Sequence, residues 1–214
     1  MRVETFVVGA FQENAYLLVD EQSRRCVLVD PGEEGARLVR AVRASGAELE
    51  AIWLTHAHVD HVGGVAEAKR QFPSAPIWLH PADRPLYDRA AQQAAMYGLP
   101  FDTPPAPDRD LADGDTLRLG ELRFSVMHTP GHAPGLCVLH GHGIAFAGDL
   151  LFAGSIGRTD LPLSDGAAMA ESLERAATLP DETIVYSGHG PATTIGEERR
   201  SNPFLNGVAR VVQR

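Results

Sequence analysis

The sequence predicts an α/β fold in which two β-sheets lie face to face and helices cover their outer sides. Three observations lead there. Short apolar or alternating runs recur in both halves of the chain, and each group of runs is followed by a helix-periodic segment. Polar residues able to bind metal stand just beyond several strand ends. A chain of 214 residues, with apolar side chains spread along its whole length, can bury a core without disulfide or metal staples.

Residues 2–8, 14–20 and 26–29 read as antiparallel strands, and Asp30-Pro31-Gly32 as a turn. Leu38, Val39 and Val42 set a helical period in 34–45, which Gly46 stops. Ala51-Ile52-Trp53-Leu54 is a buried strand, 64–71 a helix ended by Pro73, and 76–79 another strand. The Ala-, Gln- and Arg-rich stretch 82–97 reads as one helix, and the Pro- and Asp-crowded stretch 98–110 as a loop joining two β-rich halves. The second half repeats the style, with strands at 115–119, 121–127, 136–140 and 143–147 and a loop at 149–163. A helix at 166–178, a strand at 183–186 and a last helix at 194–201 before Pro203 complete it. The expected organisation is one domain over 1–214, with its internal junction near 98–110.

Composition narrows the function. A net charge of -9 and the lack of a Lys/Arg stripe, Arg199-Arg200 being the densest basic pair, argue against nucleic acid as a partner. Cys26 and Cys137 each sit in an apolar run and read as buried small hydrophobes, which fits a reducing, cytoplasmic setting. The start, Met-Arg-Val-Glu-Thr-Phe-Val-Val-Gly, is not that of a secretory signal, and no window is apolar enough to span a membrane. A small-molecule substrate is expected. Nothing in the pattern points to a particular oligomeric state.

The chemistry concentrates in Thr55-His56-Ala57-His58-Val59-Asp60-His61. Residues i and i+2 do not share a helix face, so His56 and His58 belong on an extended strand end or tight loop aimed at one cavity. There they can share one ion, leaving Asp60 and His61 free for a second. Imidazole and carboxylate suit zinc, iron or manganese; without thiolate, a structural zinc-cysteine site is not indicated. His132, Asp149 and His189 stand beside glycines just after the strands at 121–127, 143–147 and 183–186. Glycine lets the backbone pass close to an ion. Four strand ends delivering ligands is the signal, because sheet ends lie together in space. His80, His128, His140 and His142 lack this context and are left out.

The His-x-His-x-Asp-His loop at 56–61, followed in order by His132, Asp149 and His189, resembles the metallo-β-lactamase superfamily over nearly the whole chain. The resemblance implies an αββα four-layer sandwich of two mixed sheets with a two-metal site at one edge. It implies His56, His58 and His132 at the first ion, Asp60, His61 and His189 at the second, Asp149 bridging both, and Asp30 as support beneath. Within the superfamily, Gln12-Glu13-Asn14-Ala15-Tyr16, Ala147-Gly148-Asp149-Leu150-Leu151-Phe152 and Gly157-Arg158-Thr159-Asp160 resemble the glyoxalase II group. The stretch from Gly188-His189-Gly190-Pro191 to Ser201-Asn202-Pro203-Phe204 is similar to its short, single-domain bacterial members. Two-domain members carry a helical C-terminal domain that helps hold glutathione, and the stretch after His189 is too short for one. Arg158 falls about where the longer enzymes place a basic residue near the glycine carboxylate of glutathione, so it is the candidate substrate-binding residue.

The implied activity is hydrolysis of a small thioester, S-lactoylglutathione or a related acyl-thiol. Two divalent ions, zinc first with iron or manganese as alternatives, hold a hydroxide between them, and Asp60 both ligates and orients it. The rival is an iron-dependent persulfide dioxygenase on the same fold, using one iron at two of the histidines and Asp149. A binding module with a decayed site should lack ligands, and all seven are present. β-Lactamase activity is disfavoured without an export signal, and nuclease activity by the acidic charge.

Overall fold

The computed structural model describes residues 1–211. The first sheet is built from β1 (Arg2–Val8), β2 (Glu13–Asp20), β3 (Arg25–Val29), β4 (Glu48–Trp53), β5 (Ile77–Leu79) and β6 (Arg109–Asp110), hydrogen-bonded in that order. β1, β2 and β3 pair antiparallel, whereas β3, β4, β5 and β6 pair parallel. The parallel pairs need crossovers. α1 (Gly35–Ser45) supplies the first, and α2 (Val59–Val62) with α3 (Val65–Gln71) the second. α4 (Arg84–Tyr87) and α5 (Ala90–Met96) lie between β5 and β6.

The second sheet contains β7 (Thr116–Leu119), β8 (Leu122–His128), β9 (Cys137–Gly141), β10 (Ile144–Gly148), β13 (Ile184–Ser187) and β14 (Thr193–Thr194), in the spatial order β14-β13-β10-β9-β8-β7. Between β10 and β13 come a small hairpin of β11 (Leu151–Phe152) and β12 (Ser155–Ile156), then α6 (Gly166–Ala176); α7 (Ile195–Ser201) follows β14.

Period-two burial sorts the core into three layers. Along β2, Ala15, Leu17 and Val19 pack toward α1, while Tyr16 and Leu18 point into the space between the sheets. Along β10, Ile144 and Phe146 face that same space, and Ala145 and Ala147 pack toward Met169, Leu173 and Ala176 of α6. Trp53 of β4 meets Phe124 of β8 across the middle layer, ring centroids 5.6 Å apart. One layer of core under α1–α5, one between the sheets and one under α6 and α7 make the αββα sandwich.

Several details depart from the sequence expectations. Residues 82–97 do not form one helix: a 3₁₀ turn (Pro81–Asp83) leads into α4, and the chain breaks at Asp88–Arg89 before α5. The Asp88 and Arg89 amides bond back three or four residues, but Arg89 then leaves helical geometry, with φ -101° and ψ 5°. The half-loop expected at 56–61 is partly helical. His58 caps α2 with extended backbone, so Asp60 and His61 ride one helical turn. Within 149–163 lies the β11–β12 hairpin, and β6 and β14 are two-residue strands too short to leave a sequence period.

Candidate metal centre

The ligand-type residues collect at one edge of the sandwich, where strands of both sheets end. β4 runs into Thr55 and His56; β8 ends shortly before His132; Asp149 directly follows β10; His189 lies two residues past β13. Backbone bonds hold these ends in register beyond the ladders. The amide of Asp30 donates to Trp53, that of Gly188 to Gly148, and that of Cys137 to Thr55 in the opposite sheet.

Two ligand sets emerge. His56, His58 and His132 offer donor atoms within 4.8 Å of one another, and so do Asp60, His61 and His189. Asp149 stands between them. One carboxylate oxygen is 3.4 Å from His132 Nε2, and the other is 3.4 Å from His61 Nε2. His189 Nε2 lies 3.3 Å from Asp60 and 3.6 Å from Asp149. All seven residues singled out from the sequence as ligands are thus brought into one cluster. Asp30, His56 and His61 form a third close group, but the Asp30 carboxylate is occupied elsewhere.

Asp30 accepts from the Thr55 amide (2.7 Å) and the Thr55 hydroxyl (2.5 Å), and its Oδ2 lies 3.1 Å from His61 Nδ1. The Thr55 oxygen in turn lies 3.1 Å from His56 Nδ1, and the Arg158 carbonyl 2.9 Å from His132 Nδ1. Each Nδ1–H thus has an acceptor, which fixes the tautomer and turns the Nε2 lone pair into the cavity, where that of His132 lies 2.8 Å from His58 Nδ1; this is the usual device for orienting a metal-binding imidazole. His56 Nε2, His61 Nε2 and Asp149 Oδ1 are buried with no hydrogen-bond partner. Buried lone pairs left unpaired are costly, and a cation is what satisfies such a set. The residues present therefore fit two divalent ions.

Electrostatics agree. Burial depresses His56, helped by the surrounding imidazoles, and lowers His58 to about 3, so both rings stay neutral and able to ligate. Burial alone would raise Asp149, yet His61, His132 and His189 hold it well below the usual carboxylate range. Burial opposes a charge on His61, but Asp60 and Asp149 outweigh it and push that imidazole up. This is a pocket organised to hold positive charge.

Four supporting residues were missed from the sequence. Asp83, fully buried, accepts from the Ala57 amide at 2.9 Å and the Gly135 amide at 2.5 Å, tying the two loops that carry His56, His58 and His132. Burial lifts its carboxyl to about 6 against those two bonds. It too follows a strand end, β5, so the rule that found the ligands would have flagged it. Asn14 donates to the Ser187 and Gly190 carbonyls, and Tyr16 OH to Ser187, bracing the His189 loop from β2. Glu13 is buried beside His61, 3.7 Å away, with both oxygens unpartnered; burial raises it despite that neighbour. Gly188 is required where it stands, because a Cβ there would collide with the Asp149 carboxylate and the His61 ring.

A cavity of about 220 Å³ opens onto Asp60, Asp149, His58, His132 and His189, with Phe11, Tyr97 and Phe152 around it. Arg158 is at its rim, but its guanidinium is held by Asp160 (2.8 and 3.1 Å). His80 and His128 lie outside the cluster, stacked on each other at 4.0 Å, and His142 accepts from the Arg123 amide.

Fold and site together define a metallohydrolase of two-sheet architecture. The sequence profile of the metallo-beta-lactamase superfamily matches residues 8–189, and the chain belongs to that superfamily. It is 40% identical over 212 residues to the hydroxyacylglutathione hydrolase GloC of Haemophilus influenzae, covering 96% of this chain and 99% of that one. Among solved structures it is similar to the di-iron-bound form of TTHA1623, at 45% identity and a TM-score of 0.87 over 94% of this chain and all (100%) of that one. It is also similar to the BLEG-1 B3 metallo-beta-lactamase, at 38% identity and a TM-score of 0.89 over 96% and 100% of the two chains. Among the described residues no helix is long and apolar enough to cross a membrane.

Proposed function

We propose that this protein is a metal-dependent hydrolase of a small thioester, acting in the manner of glyoxalase II on S-lactoylglutathione or a related acyl-thiol. The observation that carries the reading is the carboxylate of Asp149 facing both ligand sets at 3.4 Å. His56, His58 and His132 would hold one ion and Asp60, His61 and His189 the other, with the Asp149 carboxylate placed to serve both sets. Likeness to GloC supports the substrate class, and likeness to the di-iron TTHA1623 supports a dinuclear centre in which iron, zinc or manganese resides. We further read the chain as one cytoplasmic domain.

Two cations, when bound, would supply a water of lowered pKa and Lewis acidity at the substrate carbonyl. The chain does the rest. Asp149 and Asp60 bring the negative charge that retains the ions, and Asp60, which lines the cavity, accepts a hydrogen bond from the attacking water and aims it. Asp30, through Thr55, keeps His56 and His61 in ligand geometry. A thiol leaves as thiolate at a pKa of about 8.5, so no separate general acid is needed. Arg158 meets a substrate carboxylate at the rim by exchanging its Asp160 partner for it.

The persulfide dioxygenase reading uses one iron and leaves Asp60, His61 and His189 without a task, although those three are as closely grouped as the first set. Metal quantification on purified protein, a thioester panel beginning with S-lactoylglutathione, and oxygen uptake with glutathione persulfide separate the two. The hydrolase reading expects two ions, thioester turnover and no oxygen uptake. One iron with oxygen consumption overturns it.

A further inference from the structure

Beside the metal cavity runs a second cleft of about 280 Å³, and the two share His58, Gln93, Tyr97 and Leu161 as common walls. One side of this cleft is Leu86 of α4 with Met96 and Tyr97 at the end of α5; the other is Leu161, Pro162 and Leu163. Apolar side chains of soluble proteins are rarely left in contiguous patches without a reason. Here Met96 is 83% and Leu163 54% exposed.

Leu163 adds an independent observation. Its φ is 69°, a left-handed backbone that a bulky residue rarely adopts. The turn is fixed by Ser164, whose amide and hydroxyl both donate to the Leu161 carbonyl. Polar residues or glycine suit such a position best, and strain of this kind concentrates at ligand-contacting segments. The chain accepts it and thereby holds a leucine over the cleft, opposite Met96.

We propose that this cleft is a substrate subsite that takes an apolar arm, alkyl or aryl, of the thioester. The inference rests on the hydrolase reading for the identity of the bond cleaved, but not for the existence of the subsite. Continuity with the cavity argues for substrate rather than a partner protein, because an arm lying there is joined through the shared wall at His58 directly to the metal centre. Arg89 and Gln92 line the cleft as well, so the arm can end in a polar or anionic group. The arm belongs either to the acyl side or to the thiol side, and the geometry is common to both.

The test uses the full-length, metal-loaded protein and two hydrolysis series. One extends the acyl group of N-acetylcysteamine thioesters from acetyl to octanoyl; the other extends the thiol of acetyl thioesters from ethyl to octyl. Alongside, calorimetry measures the affinity of S-alkyl-N-acetylcysteamine thioethers of the same lengths, which cannot be hydrolysed. In one hydrolysis series kcat/KM should rise about two- to fourfold per methylene until the cleft is filled, and thioether affinity should rise in step. The double variant Met96→Gln/Leu163→Asn should flatten both slopes. Asn tolerates the left-handed backbone, so its melting midpoint should stay at the wild-type value. Which series carries the slope assigns the arm to the acyl or the thiol side. Slopes that are flat in the wild type, or equally steep in the variant, overturn the subsite. If no thioester is turned over while thioether affinity still climbs with length and the variant loses that climb, the subsite stands and the thioester reading falls.

Discussion

The two sheets reach the candidate metal centre by the same path but contribute in opposite ways. In the first, β3 leads through α1 to the parallel strand β4; in the second, β10 leads through α6 to the parallel strand β13. An aspartate follows the earlier strand each time, Asp30 after β3 and Asp149 after β10. Asp30 turns its carboxylate to Thr55 and His61 and stays beneath the site, whereas Asp149 faces the cavity between both ligand sets. The first sheet delivers four candidate ligands from one loop and helical turn; the second delivers His132, Asp149 and His189 singly from three strand ends. One half therefore carries a prefabricated cluster with its own support, and the other closes the site by convergence. Position in the topology does not fix a residue's role; the acceptors and donors around it do.

This division can be broken first at Asp149. Asp149→Ala should remove the shared carboxylate and cut turnover by at least about 10³-fold, the scale of losing a principal electrostatic partner at a reacting centre. Elemental analysis should find fewer than two ions per chain. His58→Ala affects one ligand set only. It should abolish turnover while metal falls toward one ion, and a variant that keeps both metal and wild-type activity contradicts the assignment. Asp30→Ala should be milder, weakening metal affinity by about 10–100-fold through misoriented imidazoles. If chelator competition shows Asp30→Ala and Asp149→Ala to be equally damaging, the distinction between supporting and ligating aspartate is wrong.

Two smaller effects probe the seam between the halves. Trp53→Ala empties the middle layer opposite Phe124 and should cost about 3–5 kcal/mol in denaturant unfolding. Metal stoichiometry under native conditions should not change, because the ligands hang from strand ends and not from that ring. At the surface, His80 after β5 stacks on His128 of β8. Burial and the His128 ring lower the pKa of His80 from 6.5 to about 4, so the unfolded chain binds the proton more readily than the folded one. The contribution of the pair is present above pH 6.5 and is lost as pH falls from there toward 4. His80→Gln should show a shallower loss of stability than wild type across that window, by a modest margin since the ring is half-buried. Parallel curves would mean the stack does not couple the halves.

Legibility in the sequence followed the same division. His56 to His61 are contiguous, so their pattern alone indicated a metal site, and the short apolar runs of β2, β3, β9 and β10 were strong enough to indicate strands. His132, Asp149 and His189 were individually weak and became persuasive only as a set of strand-end residues, or through likeness to the family. Asn14 and Tyr16 were illegible as site residues because their task is to bond main-chain atoms distant in sequence, 171 residues away for Tyr16 and Ser187. The break between α4 and α5 was missed because Ala, Gln and Arg favour helix throughout, and propensity does not register a turn imposed by tertiary packing. Arg158 was read from its place in a motif, and its pairing with Asp160 depends on side-chain geometry that spacing does not reveal.

Metal content per chain tests the central claim most directly. Protein loaded with cobalt(II) or manganese(II) and freed of excess should contain two ions per chain. Its magnetic resonance spectrum should show coupling between them, as a shared Asp149 carboxylate requires. One ion per chain, or two ions with the spectrum of isolated centres, would contradict the account.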